Sequence, residues 1–399
     1  MLQTSGVDPD ITSTISSCTN NVHKVETGDV TLIGLGNIDC ANLVPSGTEL
    51  GAKGISVFSS DAFTLHVFQA DDGGNRADGY LAIPDSQLGT EYFVATYCTL
   101  GGICQFIVTA IQDATLVTVV FPDNIDNEIT CVSGMQEPTN VQSGTALPYI
   151  IHEYDTLHFE STQDLSGTYI KSSQPVGVIV GARDVPTADD QVTNTIEQIM
   201  PANKWGTEFV VAPNRLNHAG DIIKIVSKID STIVHILGFS PFMMQHAGDV
   251  VERRVDWELH SRIHASNPVM IMQIMSIDLY NGTNDVTGSP SMVLVPHTDQ
   301  KIGNGVYFHC DSDNKILSAL VEQSATISVT EPSDPNMYES FTENVPGTTL
   351  EVFTVIPNPI VEHVILSNTD LVGYGYCDGV SSFLLASDWT VENEVSSNI

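Results

Sequence analysis

Basic residues are scarce in this 399-residue chain: 14 Lys and Arg stand against 49 Asp and Glu, a formal net charge of −35 at pH 7. That balance excludes nucleic acid as a partner, because a phosphate backbone is bound by releasing its counterions to a stripe of Lys and Arg. It also argues against an anionic membrane face. Apolar runs of about 18 residues or more are absent, so no membrane insertion is expected. The seven cysteines include no CxxC pair, and the twelve histidines form no HExxH and no zinc-spaced Cys/His cluster. There is no GxSxG elbow and no phosphate-binding GxxxxGK, and GLGN at 34–37 lacks the third glycine of a dinucleotide site. The opening MLQTSGVDPDITS has neither the charged n-region nor the apolar h-region of a signal peptide, so the chain is either cytosolic or stripped of its leader.

What is present points to the second case. In YCTLGGIC, Cys98 and Cys104 flank a Gly-Gly turn between apolar runs, which suits a bridge between hairpin strands and hence an oxidising compartment. In an all-β frame the provisional pairs are Cys98 with Cys104 and Cys310 with Cys377; the odd count leaves a thiol free or linked to another chain. Asn281 in NGT is a candidate glycosylation site. The acid surplus fits solubility in a salty or crowded extracellular setting.

Three phrases recur in one order, about one hundred residues apart. A proline followed by a hydrophobic-Gly step appears with Leu88-Gly89, Trp205-Gly206 and Ile302-Gly303. A threonine strand follows, around Thr115, Thr232 and Thr326. An apolar strand led by serine closes each copy, with Ser60, Ser173, Ser266 and Ser367 in register; Ser-x-Pro is expected to supply a turn into it. Short runs of Val, Ile, Thr, Phe and Tyr lie between Gly, Asp, Asn and Pro clusters, and no helical period is sustained. The expected fold is all-β, in tandem β-sandwich-like repeats of about 100 residues. The units are a partial or diverged one at 1–78, then 79–190, 191–285 and 286–399 with a C-terminal tail, each closed over its own core and strung in series.

Candidate chemistry is thin. Asp71, Asp72 and Asp78 in a Gly-rich loop, and Asp311 with Asp313 in CDSDNK, offer oxygen ligands that suit Ca²⁺ but match no EF-hand; Ca²⁺ is the one cofactor these loops suggest. Solvated turns are the plainer reading. His260 and His264, four apart in HSRIH, lack a third ligand nearby. Trp205 occupies the same slot as Leu88 and Ile302, which makes all three repeat-core positions; Trp257 could be core or a stacking surface. No catalytic residue is assigned. A deep cleft gathering acids and histidines from several units would instead favour a carboxylate-dependent hydrolase.

GYLAIPDSQLGTEYFVATY, YIKSSQPVGVIVG and IEQIMPANKWGTEFVVAP resemble the N-terminal domain of the IgG Fc-binding protein family, large secreted mucus proteins of animals. The likeness runs over roughly residues 50–385; its most specific marks are Glu197-Gln198, Pro201 and Trp205-Gly206, followed by GDIIKIVSKIDSTIV. The Gly-Asp-Pro-His motif of the von Willebrand type D modules that often accompany such domains is absent. The resemblance implies a secreted, non-enzymatic structural or adhesive module of mucus or extracellular matrix. Its partners would be extracellular proteins or glycans, with self-association also open. Recognition of an immunoglobulin Fc-like or other soluble ligand is the alternative.

Overall fold

A computed structural model of the chain describes most of residues 48–386 and four short strands within 2–31; the longer stretches outside the described residues are 32–47, 71–76, 126–143, 276–289, 331–337 and 387–399. Among the described residues every regular element is a strand, apart from short 3₁₀ turns at Asp85–Gln87 and Ala202–Lys204. Alternation makes the strands: in Ile103–Ala110 the inward set Cys104, Phe106, Val108 and Ala110 is buried while the intervening residues are half-exposed.

One pairing scheme recurs. In the second unit a long strand, Tyr169–Pro186, pairs along its first half with Gly89–Phe93 and Thr115–Val120. Along its second half it pairs with Ile103–Ala110 and Val192–Gln198. In the third unit Ser261–Met275 plays the same part, with Gly206–Val211 and Thr232–Ile236 on its first half and Ile222–Ser227 and Ser291–Val295 on its second. The fourth unit splits the long strand into Glu362–Ser367 and Val372–Cys377, and the first into Ile55–Ser59 and Phe63–Ala70. One strand thus belongs to two sheets, which gives each unit its curled, sandwich-like form.

Ser-x-Pro does not make a turn. It lies inside the long strand, where the register of the second unit shifts between Lys171 and Val176 as pairing passes from one sheet to the other. Proline has no N–H for a ladder and is tolerated where pairing breaks. The serines keep equivalent partners: Leu116 N donates to Ser173 Oγ at 2.9 Å and Ile233 N to Ser266 Oγ at 2.9 Å. In the fourth unit Ser367 keeps the same place, opposite Ile327, while the side-chain bond is made one residue further out, from Thr326 N to Asn368 Oδ1 at 2.7 Å.

The units form a ring, not a series. Each ends in a closing strand: Ala77–Leu81, Val192–Gln198, Ser291–Val295 and Ser381–Ala386. The first lies against the second and the fourth, and the third also lies against the second and the fourth, so the four surround one axis. Each closing strand hydrogen-bonds to the long strand of the preceding repeat, which carries the sheets past the phrase-based beginnings near 79, 191 and 286. Nor does each unit keep a private interior. The largest apolar cluster runs continuously from Leu81 to Tyr376 through three units, while smaller clusters fill the third unit and the fourth, the latter with Phe68 of the first packed on it.

The proline-glycine phrase makes these junctions. A Cβ on Gly89 would stand 2.5 Å from Pro201 Cβ, and one on Gly206 would stand 2.4 Å from His297 Cβ, so each glycine admits the following repeat's phrase. Trp205 is fully buried, its Nε1 donating to Met200 O at 3.2 Å and its ring 5.8 Å from Phe93 of the second unit. Leu88 is partly buried against the same cluster, and Ile302 lies outside the described residues.

Candidate functional site

Two places concentrate polar groups out of water: the ring axis and a cleft where the third unit meets the fourth.

At the axis, sheet edges come together and their N–H groups need acceptors. Asp78 and Glu197 supply them. The Asp78 carboxylate accepts from Ile196 N at 2.9 Å, Met292 N at 3.1 Å and Ser291 Oγ at 2.7 Å. Glu197 accepts from Leu294 N and Gln198 N, each at 2.9 Å. Burial pushes Asp78 up to about 8, against the pull of those hydrogen bonds. Burial likewise raises Glu197 well above the carboxylate range, with the Asp78 charge adding to the rise. Asp78 therefore departs from the sequence reading. It is a fully buried strand residue whose carboxylate ties three closing strands together, not a member of an exposed ligand loop.

The cleft holds about 900 Å³. Leu237 and Phe239 stand on the turn after Thr232–Ile236, closed by Phe239 N to Ile236 O at 2.9 Å. Trp257 and Leu259 come from the loop after Val250–Arg254, where Asp256 Oδ1 accepts from Glu258 N at 2.7 Å and Leu259 N at 3.3 Å. Asp256 is thus a loop cap. Beneath, Val255 N donates to Asp221 O at 2.9 Å. The Asp221 carboxylate accepts from Asn214 N and Gln273 Nε2, and its burial pushes its pKa up to about 6. The fourth unit contributes Glu343, 2.7 Å from Arg215 Nη2, whose guanidinium also lies 4.8 Å above the Phe341 ring.

His260, on the cleft wall, is 8% exposed. Its Nδ1 lies 3.7 Å from Glu343, and its Nε2 has no hydrogen-bond partner within the protein. Burial holds its pKa below the usual histidine value, with Glu343 pulling the other way and Arg215 reinforcing the fall. Leu237 and Leu259, 51% and 57% exposed, rim the cleft and equip it to meet a ligand that is mostly apolar, while the His260 nitrogens lie within its wall, closed to water.

Charge is partitioned between the units. Residues 191–285 carry seven Lys and Arg against ten Asp and Glu, a net −3, and the rest of the chain carries seven against 39, a net −32. Among the described residues the same range holds Val192, Ile233, Leu237, Phe239, Met243 and Leu259, six large apolar side chains left exposed.

The remaining candidates fall as follows. Cys98 and Cys104 are disulfide-bonded, with Cα atoms 5.1 Å apart. Cys377 is also in a disulfide, while Cys310, Asp71, Asp72, Asn281, Asp311 and Asp313 lie outside the described residues. His264 turns away from His260 and places Nδ1 2.6 Å from Glu208. Among the described residues no three His, Cys, Asp or Glu gather closely enough to hold a metal ion. Trp257 was visible in the sequence as a residue without a core slot; Glu343, some eighty residues further along, carried no signal linking it to His260.

A ring of curled β-units with an apolar-rimmed side cleft is the build of a binding module. The chain belongs to the family described as IgGFc binding protein, matching it over residues 78–365. That is a family of extracellular binding proteins. A human relative, IgGFc-binding protein, is 25% identical over 255 residues, covering 63% of this chain and 4% of the relative, so the chain spans a small part of that protein's length. No helix among the described residues is long and apolar enough to cross a membrane.

Proposed function

We propose that the chain is a secreted, non-enzymatic structural or adhesive module of mucus or extracellular matrix, which holds extracellular proteins or glycans through the cleft of its third unit. The observation that carries this reading is the rim of exposed Leu237, Phe239 and Leu259 around the cleft on the near-neutral unit. A partner can bury apolar surface there without stripping water from a dense field of carboxylates. Catalysis by the same groups is disfavoured. Asp256 is spent on a loop cap and Glu343 faces Arg215, which leaves no second free carboxylate beside His260. Calcium at Asp71 and Asp72, and at Asp311 and Asp313, is kept as a proposal.

Immobilised protein exposed to mucin, to matrix extract and to Fc fragment separates the readings. Capture of mucin or matrix components that falls about tenfold in Trp257→Ala and Leu259→Asp supports the proposal. Capture of Fc alone replaces it with recognition of a soluble immunoglobulin. Retention of nothing, or capture indifferent to both substitutions, overturns it. Turnover of a glycoside or ester substrate abolished by Glu343→Gln would move the chain to the hydrolases.

A further inference from the structure

We infer that the outer hairpin of the third unit, Thr232–Ile236 with Phe242–Met244, is the surface through which two copies of this chain associate. The inference does not depend on the cleft: two chains can meet here with the cleft empty.

The hairpin pairs Ile233 with Met243. Both are exposed, 41% and 49%, and both lie on its outward side. Among the described residues no strand pairs the far side of Phe242–Met244, which leaves its edge N–H and C=O groups available. The second unit contains the same device. There Leu116 pairs with Ile150 on the equivalent hairpin, and they are 44% and 64% exposed. Exposure alone therefore does not choose between the two hairpins.

Charge chooses. Two copies each bearing −35 repel one another over most approaches. The second unit, residues 79–190, carries two Lys and Arg against 14 Asp and Glu, so hairpins brought together there would add −12 to −12. The third unit brings −3 to −3. Arg253, whose guanidinium lies 4.9 Å over the Phe242 ring, sets a cation directly beside the edge. Neither hairpin carries a carboxylate on its own strands, so the difference lies in the unit behind each, and the third unit meets its copy against the smaller like charge. Edge pairing about a twofold axis runs antiparallel, places Met243 opposite its mate and brings both Ile233 side chains to the same apolar seam.

The test is sedimentation of the intact chain from about 0.02 M to about 0.5 M NaCl, over which the screening length contracts from roughly 20 Å to roughly 4 Å. The expected result is a monomer at low salt and a dimer at high salt. Met243→Asp and Ile233→Asp should each raise the dimer dissociation constant at least tenfold. Ile150→Asp, a still more exposed position on the acidic unit, should leave it unchanged. A chain that stays monomeric across the range at about 100 μM, above the weak end of specific association, overturns the inference. So does a dimer that survives Met243→Asp, or one that Ile150→Asp weakens equally. Because all three positions are exposed, retained circular dichroism separates loss of association from loss of fold.

Discussion

Lys224 is buried at the junction of the second and third units and is held mainly by groups of the second, with Glu252 of its own unit 4.0 Å away. Its Nζ donates to Thr96 O at 2.7 Å and to Ser166 Oγ at 3.1 Å and pairs with the Asp164 carboxylate. Burial alone would raise Asp164, but the Lys224 charge and the hydrogen bonds from Lys224, Ser166 and Thr96 outweigh it and hold its pKa low. Lys224→Ala loses these bonds but leaves Asp164, 41% exposed, open to water, so it should lower stability by about 1–2 kcal/mol, read as a shift in the urea midpoint. Trp205 works at the same junction by packing. Its truncation to Ala empties a site between two units and loses the Nε1 bond to Met200, and equilibrium unfolding should show a loss of about 3–5 kcal/mol. Neither residue needs a ligand for its role.

The recurring phrases are elements of assembly, and their physical reasons differ. Gly206 is a glycine because the His297 side chain occupies the space a Cβ would need. Gly206→Ala should therefore cost about 1–3 kcal/mol in thermal or urea unfolding, more than the same change at Gly101, where nothing stands within 4 Å and only the backbone conformation is strained. The repeats and the all-β character were legible, because sheet-forming text of similar order folds alike. Ring closure was not: it depends on contacts between Ala77–Leu81 and Ser381–Ala386, some three hundred residues apart, and no local pattern encodes them. Ser-x-Pro looked like a turn because proline usually breaks strands; only the pairing shows that it marks the point where one strand changes sheets. Asp78 followed a Gly-rich loop in sequence and was grouped with it, although Gly79-Tyr80-Leu81 already began the closing strand. The exposed pairs Leu116/Ile150 and Ile233/Met243 read as ordinary alternation, since exposure is a property of what fails to cover a strand.

At the scale of the whole molecule, the axis makes ring stability depend on protons. A carboxyl whose pKa is raised from 3.8 to about 8 on folding binds its proton more tightly in the folded state. Its contribution is full below the unfolded pKa, declines as pH rises, and is gone above about 8, the folded value. Glu197, raised in the same direction, adds to the decline. Carboxylates held low, such as Asp164, act oppositely at more acid pH. Urea midpoints measured from pH 5 to pH 8 should fall with rising pH, and Asp78→Asn should flatten that slope even if it lowers stability at every pH; an unchanged slope would remove the axis from the explanation. The partition of charge among the four units has a further outcome. With −32 on the residues outside 191–285 and −3 on those within, the charge along the chain is strongly uneven. Beside a dense polyanion the third unit, which carries Trp257, Phe239 and Met243, should meet the least repulsion.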